Sequence, residues 1–172
     1  MIHVHNARAI AMRVMEELKP FCERIEIAGS IRREKLLVKD IEIVCIPKKI
    51  EKNSDFFRKD KTTDPNFIKA VNKYEKIKGE PFGKYTQRRL PEGINLDLFM
   101  ANEMNWGLIF AIRTGSAEFS HSLAREWARQ GYNSNNGILY KGYEPYYIRE
   151  EMDLFKLLNL KWVSPHMRIS SF

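Results

Sequence analysis

With 172 residues, 44% of them hydrophobic and 12% aromatic, the chain can bury a sizeable core, which excludes wholesale disorder. Lysine and arginine number 29 against 22 aspartate and glutamate, a formal charge of +7 that suits a polyanionic partner without requiring one. No apolar run approaches the roughly 20 residues needed to cross a bilayer, and the start, MIHVHNARAI, lacks the apolar core of a signal peptide, so a soluble cytoplasmic protein without a membrane partner is expected.

In chain order, Asn6 is positioned to cap a helix over Ala7–Lys19, with Ile10, Val14 and Leu18 on one stripe and Pro20 ending it. Ile25–Ala28 reads as a short buried strand, and Ser30–Lys35 as a helical turn carrying Arg32 and Arg33. Asp40–Pro47 alternates and is β-branched until its proline, the pattern of a strand. The charged run Lys48–Thr63 reads as a solvated loop with at most a short helix. Asp64-Pro65 opens a helix expected to reach about Lys78, and Gly79, Pro81 and Gly83 break it. Lys84–Leu90 and Ile94–Ala101 form a predicted hairpin around Pro91-Glu92-Gly93.

Beyond Asn102 two helices are expected, Asn105–Thr114 and Ser116–Gln130, with Gly131 as a C-terminal cap. Tyr132–Tyr140 holds an Asn135-Asn136-Gly137 hairpin signal, Arg149–Asn159 is a last helix, and Pro165 lies in an irregular tail. Cys22 and Cys45 sit in apolar contexts without metal-ligand spacing and read as buried thiols of a reducing compartment. The fold class is α+β: residues 1–101 form one unit and residues 102–172 a smaller α+β unit.

The chemistry centres on AGSIRREKLLVKDIEIV, from Ala28 to Val44. In a strand, Asp40 and Glu42 project to one face while Ile41 and Ile43 enter the core. Crowded carboxylates repel unless a cation lies between them, and oxygen-only ligation suits magnesium. The Gly29-Ser30 turn brings backbone N–H groups toward phosphate oxygens, and arginines follow it. Asp97 stands alone in the apolar strand INLDLFMA; it serves either as a third metal carboxylate or as an aspartate paired with Arg88 or Arg89. Metal carboxylates beside a phosphate turn point to phosphoryl transfer.

Gly29-Ser30 followed by Asp40-Ile41-Glu42 resembles the nucleotidyltransferase superfamily. Arg113-Thr114-Gly115-Ser116 resembles the Thr-Gly-Ser turn of family X DNA polymerases, the polymerase beta-like group. The end of the chain, from Glu150-Glu151 and Asp153-Leu154-Phe155 through Trp162 and Pro165 to Arg168, also resembles those enzymes. The length is similar to that of the reduced viral form, a catalytic palm plus one C-terminal subdomain.

That resemblance implies a palm with a mixed or antiparallel sheet over residues 1–101 and a nucleotide- and DNA-binding subdomain over 102–172. It implies that Asp40, Glu42 and Asp97 are catalytic and hold two magnesium ions, with manganese as a substitute. Gly29, Ser30 and Arg33 would meet the triphosphate, and Thr114, Gly115, Ser116 and Ser120 the rest of the nucleotide. Arg88, Arg89, Arg113 and Arg125 are candidates for the DNA backbone. The implied partners are a nucleoside triphosphate and a primer-template, gapped duplex included, bound by a monomer in DNA repair. The alternative is untemplated transfer to RNA, a small molecule or a protein.

The chain departs from the family pattern at several points. Glu42 replaces an aspartate, Ile112-Arg113 an aromatic pair, Ser120 an asparagine and Ala124 an arginine, which bears on sugar selection and fidelity. The residues ahead of Ile25 are too few for the family's lyase domain, so lyase activity is not expected.

Overall fold

The computed structural model describes residues 1–54 and 58–172. A short β1 (Ile2–His3) leads into α1 (Val4–Leu18), and β2 (Cys22–Ile27) into the single-turn α2 (Gly29–Arg32). Then come β3 (Leu37–Val38), β4 (Asp40–Pro47), β5 (Lys49–Ser54), β6 (Arg58–Thr63) and α3 (Pro65–Val71). The edge strand β7 (Glu75–Gly79) precedes the hairpin β8 (Tyr85–Arg89) and β9 (Asn95–Met100). The C-terminal part holds α4 (Trp106–Thr114), α5 (Ala117–Arg129), β10 (Asn133–Asn135), β11 (Ile138–Lys141), β12 (Glu144–Tyr146) and α6 (Glu151–Leu157).

The central sheet runs β2-β4-β9-β8-β7 and is mixed: β4 and β9 are parallel, the other pairs antiparallel. Its back face is apolar because strand alternation sends Ile41, Ile43, Cys45, Leu96 and Leu98 one way, onto Ala7, Ala11, Val14 and Leu18 of α1 and Phe67 and Val71 of α3. The front face changes character along its length. Val44, Ile46 and Phe99 pack under Trp106 and Phe110 of α4, while the same strands carry Asp40, Glu42 and Asp97 at the opposite end. A separate cluster, including Leu108, Phe119, Leu123, Leu139, Leu154 and Phe155, builds the C-terminal part. The sequence-derived α+β class and mixed sheet hold.

Four local expectations need correction. Helix α1 starts earlier than Ala7, because β1 pairs with β3 and His3, not Asn6, caps it: His5 N–H donates to His3 Nδ1 at 3.3 Å. The run 48–63 contains a hairpin, β5 against β6, with Lys49 opposite Thr63; residues 55–57 of the expected loop lie outside the described residues. The helix from Pro65 ends at Val71, capped by Asp64, whose carboxylate accepts from Asn66 N at 2.8 Å. Residues 75–79 are instead a strand, fixed by β8 rather than by their own helical spacing. The last helix spans only Glu151–Leu157.

The strand expected at Ile25–Ala28 spans Cys22–Ile27 instead. The turn between β10 and β11 is Asn136-Gly137 with φ of +52° and +75°, the geometry that suits a two-residue hairpin. Cys22 and Cys45 are buried free thiols. No helix among the described residues is long and apolar enough to cross a membrane.

Candidate active site

The parallel register places Glu42 opposite Asp97 and Asp40 opposite Asn95, so all three carboxylates share the front face. Asp97 is only 8% exposed. Burial raises the Asp40 carboxyl above its ordinary range, and the charge of Asp97 adds to it. Glu42 is pushed up to about 7, first by burial and then by Asp40, with Arg33 pulling the other way. Among the described residues no group of three or more His, Cys, Asp or Glu side chains closes on a common metal position. The register nonetheless aligns the carboxylates on one face.

Glu42 therefore has a stability signature of its own. Its folded-state pKa lies above the ordinary 4.5, so the stability it contributes is present below pH 4.5 and lost as pH rises through 7. In metal-free buffer, Glu42→Gln is expected to stabilise the protein at pH 8 by on the order of 2 kcal/mol and to change little at pH 4. Thermal melts at the two pH values test this; equal shifts at both would contradict it.

The Gly29-Ser30 turn lies beside these acids. Ala28 N–H donates to the Glu42 carbonyl at 2.8 Å, which fixes the corner against β4. Gly29 has φ +58°, and a Cβ there would stand 1.8 Å from Glu42 Oε2, so both conformation and space require glycine. Gly29→Ala is expected to cost about 1–3 kcal/mol of stability and to displace Glu42. A thermal melt checks it, and a wild-type melting curve would contradict it. Ser30 Oγ is buried and has no hydrogen-bond partner among the described residues. A buried hydroxyl with no partner is costly, and a phosphate oxygen would satisfy it.

Arg33 Nη1 donates to the Thr114 carbonyl at 2.7 Å, tying the Gly29-Ser30 corner to the end of α4. Burial lowers its pKa, and Glu42 and Asp40 oppose that shift. Arg32 is committed elsewhere: its guanidinium donates to Thr114 Oγ1 at 2.6 Å and to both Glu151 oxygens at 2.8 and 2.6 Å. Arg168 reaches the same carboxylate at 2.5 Å. This Arg32–Glu151–Arg168 cluster went unnoticed in the sequence, where its members lie far apart; the cue would have been a glutamate next to a helix start, aligned with no phosphate motif.

Several expected contacts are redirected. Thr114 is fully buried with its hydroxyl bonded to Arg32, so its side chain braces the corner. Ser116 caps α5 by accepting from Phe119 N at 3.1 Å. Ser120 Oγ donates to the Ile112 carbonyl at 2.7 Å. Gly115 has no room for a side chain: a Cβ would stand 2.7 Å from Ser120 Oγ. Arg88 is 1% exposed and bonds to Thr86 Oγ1, so it is withdrawn from any DNA backbone by its position on the back face. Arg89 donates to the Gly93 carbonyl, and neither arginine pairs with Asp97. Arg113 and Arg125 are exposed, Arg113 with its guanidinium 4.1 Å from the Phe99 ring centroid.

A cleft of about 530 Å³ runs from Glu42 past Arg113 and Gly115 to Ser120, His121 and Trp127. A second, of about 700 Å³, shares Arg113 and is lined by Lys49, Lys84, Tyr85 and Phe99. The two clefts share Ile109, Arg113 and Gly137, and of the three acids Glu42 lines the first.

This arrangement matches a known fold. Leishmania infantum polymerase beta, solved as a ternary P/T complex, is similar with a TM-score of 0.72 at 16% identity, over 97% of this chain and 76% of that one. Residues 110–169 match the DNA polymerase beta thumb family. No curated protein sequence matches the chain significantly. The chain thus has the polymerase beta fold, and residues 110–169 are similar to the polymerase beta thumb, in keeping with the resemblance to family X polymerases.

Proposed function

We propose that the protein is a family X-like nucleotidyltransferase that adds dNMP from a dNTP to a primer 3′-hydroxyl and releases pyrophosphate. The observation that supports this most is the register of Glu42 against Asp97, with Asp40 on the same face and the unpartnered Ser30 hydroxyl beside it. In this reading residues 1–101 are the palm and 102–172 the nucleotide- and DNA-binding subdomain.

Asp40 and Glu42 would hold two magnesium ions, with manganese as a substitute, and Asp97 would share one of them. The fit rests on the donor set: oxygen ligands only, with two of the acids held toward their neutral forms first by burial and then by a neighbouring carboxylate, a bias that a divalent cation would offset. Bound there, the ions would supply positive charge to the attacking and leaving oxygens. The chain's residues do the rest. Ser30 donates to a phosphate oxygen, and Arg33, half-turned to the Thr114 carbonyl, gives a charge-assisted donor to the departing pyrophosphate. Asp97 takes the proton of the 3′-hydroxyl as its oxygen bonds to the α-phosphorus and the bond to the β-phosphate oxygen breaks. The cleft at Gly115 and Ser120 receives sugar and base, and the cleft at Lys49 and Lys84 a nucleic-acid strand, with a DNA repair role following from a gapped duplex.

A second reading keeps the chemistry and changes the acceptor to RNA, a small molecule or a protein. One observation favours it: the Ser120 hydroxyl is spent on Ile112 and Ala124 lines the same cleft, so neither offers a base-edge hydrogen bond. Extension of labelled primers on gapped duplex, single-stranded DNA and RNA, each with dNTPs and then NTPs, separates the two. Template-matched addition on the duplex supports the polymerase. Addition only to other acceptors supports the second reading and removes the first.

A further inference from the structure

Asp97 is held by neutral donors only. Tyr85 Oη donates to Asp97 Oδ1 at 2.6 Å and Gln87 Nε2 donates to the same oxygen at 2.8 Å. Both come from β8, where Gln87 lies opposite Asp97 and Tyr85 opposite Phe99. Asp97 Oδ2 takes no hydrogen bond, and no lysine or arginine makes a salt bridge to Asp97, among the described residues. The tyrosine is itself fixed: its ring stacks on Phe99 with centroids 5.0 Å apart and planes at 25°. Arg113 lies over Phe99 at 4.1 Å, immediately ahead of the Thr-Gly-Ser turn.

A carboxylate in a nearly dry strand can be oriented by an arginine or by neutral groups, with different consequences. An arginine would offset its charge and compete with a cation. A phenol and an amide fix one oxygen without adding a positive charge beside the group, and leave the other oxygen open. We propose that Tyr85 and Gln87 are positioning residues for nucleotidyl transfer: they occupy Oδ1 so that Asp97 presents Oδ2 to a divalent cation and the attacking hydroxyl. This rests on the function proposed above. The Arg113–Phe99–Tyr85 stack links that orientation to the end of α4.

The test compares wild type with Tyr85→Phe, Gln87→Met, the double variant and Asp97→Asn. Tyr85→Phe removes only the hydroxyl and keeps the stack. Partners of this kind typically carry about 10- to 100-fold in metal affinity or activity. The double variant is expected to bind Mn²⁺ about tenfold more weakly in an electron paramagnetic resonance titration. Its kcat for primer extension should fall about 10- to 100-fold, with nucleotide KM, DNA affinity and melting temperature near wild type. Tyr85→Phe alone should show a smaller loss of the same kind, and decides the matter if Gln87→Met does not fold. Lower melting temperature with unchanged Mn²⁺ binding and kcat would overturn the proposal in favour of a purely structural role. Wild-type Mn²⁺ binding and kcat in both variants, with activity lost in Asp97→Asn, would overturn it and leave the function standing. A wild-type protein that transfers no nucleotide to any acceptor would overturn both.

Discussion

Glu151→Gln is expected to destabilise the protein by about 3–5 kcal/mol, the cost of removing one partner from a buried charge cluster. Glu151 is 6% exposed and is the one carboxylate that Arg32 and Arg168 both contact. Arg168 is wholly buried, donates to the Val163 carbonyl at 2.9 Å and lies 4.7 Å from the Trp162 ring centroid. Arg32 lies 3.8 Å from that of Phe110. Neutralising Glu151 leaves two guanidinium charges together with little water to screen them. At roughly 2–4 °C per kcal/mol for a chain of this size, the melting temperature should drop by about 6–20 °C. A melt within about 2 °C of wild type would contradict the account.

The cluster does more than stabilise. Replacing a complete buried ion cluster by apolar side chains is often neutral, so its distinctive contribution here is geometric. Arg32 and Arg33 are adjacent, and both bond to Thr114, one through its hydroxyl and the other through its carbonyl. Glu151 therefore sets how the Gly29-Ser30 corner of the sheet meets α4. Loss of stability in Glu151→Gln should be accompanied by a raised nucleotide KM.

Asp97→Asn is expected to lower nucleotidyl transfer by about three orders of magnitude, the rate equivalent of about 4 kcal/mol of transition-state stabilisation. The substitution is nearly isosteric and keeps one acceptor oxygen for Tyr85 and Gln87, so the fold should persist. It removes the charge that a cation and the 3′-hydroxyl proton would both need. DNA affinity should stay level or improve, because one negative charge leaves a site that is to hold a polyanion. Single-turnover extension with a parallel DNA-binding titration measures both. Retained activity would place the chemistry elsewhere.

The parts of this site visible in the sequence are those governed by short-range rules. Asp40–Pro47 announced itself by alternation, and the strand occurs over those residues. The β8–β9 hairpin and the Asn136-Gly137 turn followed from local turn chemistry. What stayed hidden depends on partners distant in the chain. Apart from the exposed Ile50, β5 and β6 consist of charged and polar residues with no apolar face to reveal a strand, and their mutual pairing defines them. Residues 75–79 continued the helical spacing of Phe67, Ile68, Val71 and Tyr74, yet β8 captured them as an edge strand with Ile77 exposed. Asp97 was visible as a misfit in an apolar strand. That its donors would be Tyr85 and Gln87, not Arg88 or Arg89, depended on which face of β8 meets it. Thr114 and Arg32 belonged to recognisable motifs, but their commitment to Glu151 needed the third dimension.

The most direct test of the central claim is pyrophosphate release during templated extension of a gapped duplex, measured with and without magnesium in wild type and in Asp97→Asn. The account predicts release that requires magnesium, matches the template base and disappears in the variant. Release that persists in Asp97→Asn, or a wild-type protein that binds the duplex and dNTP with magnesium yet releases none, would contradict it.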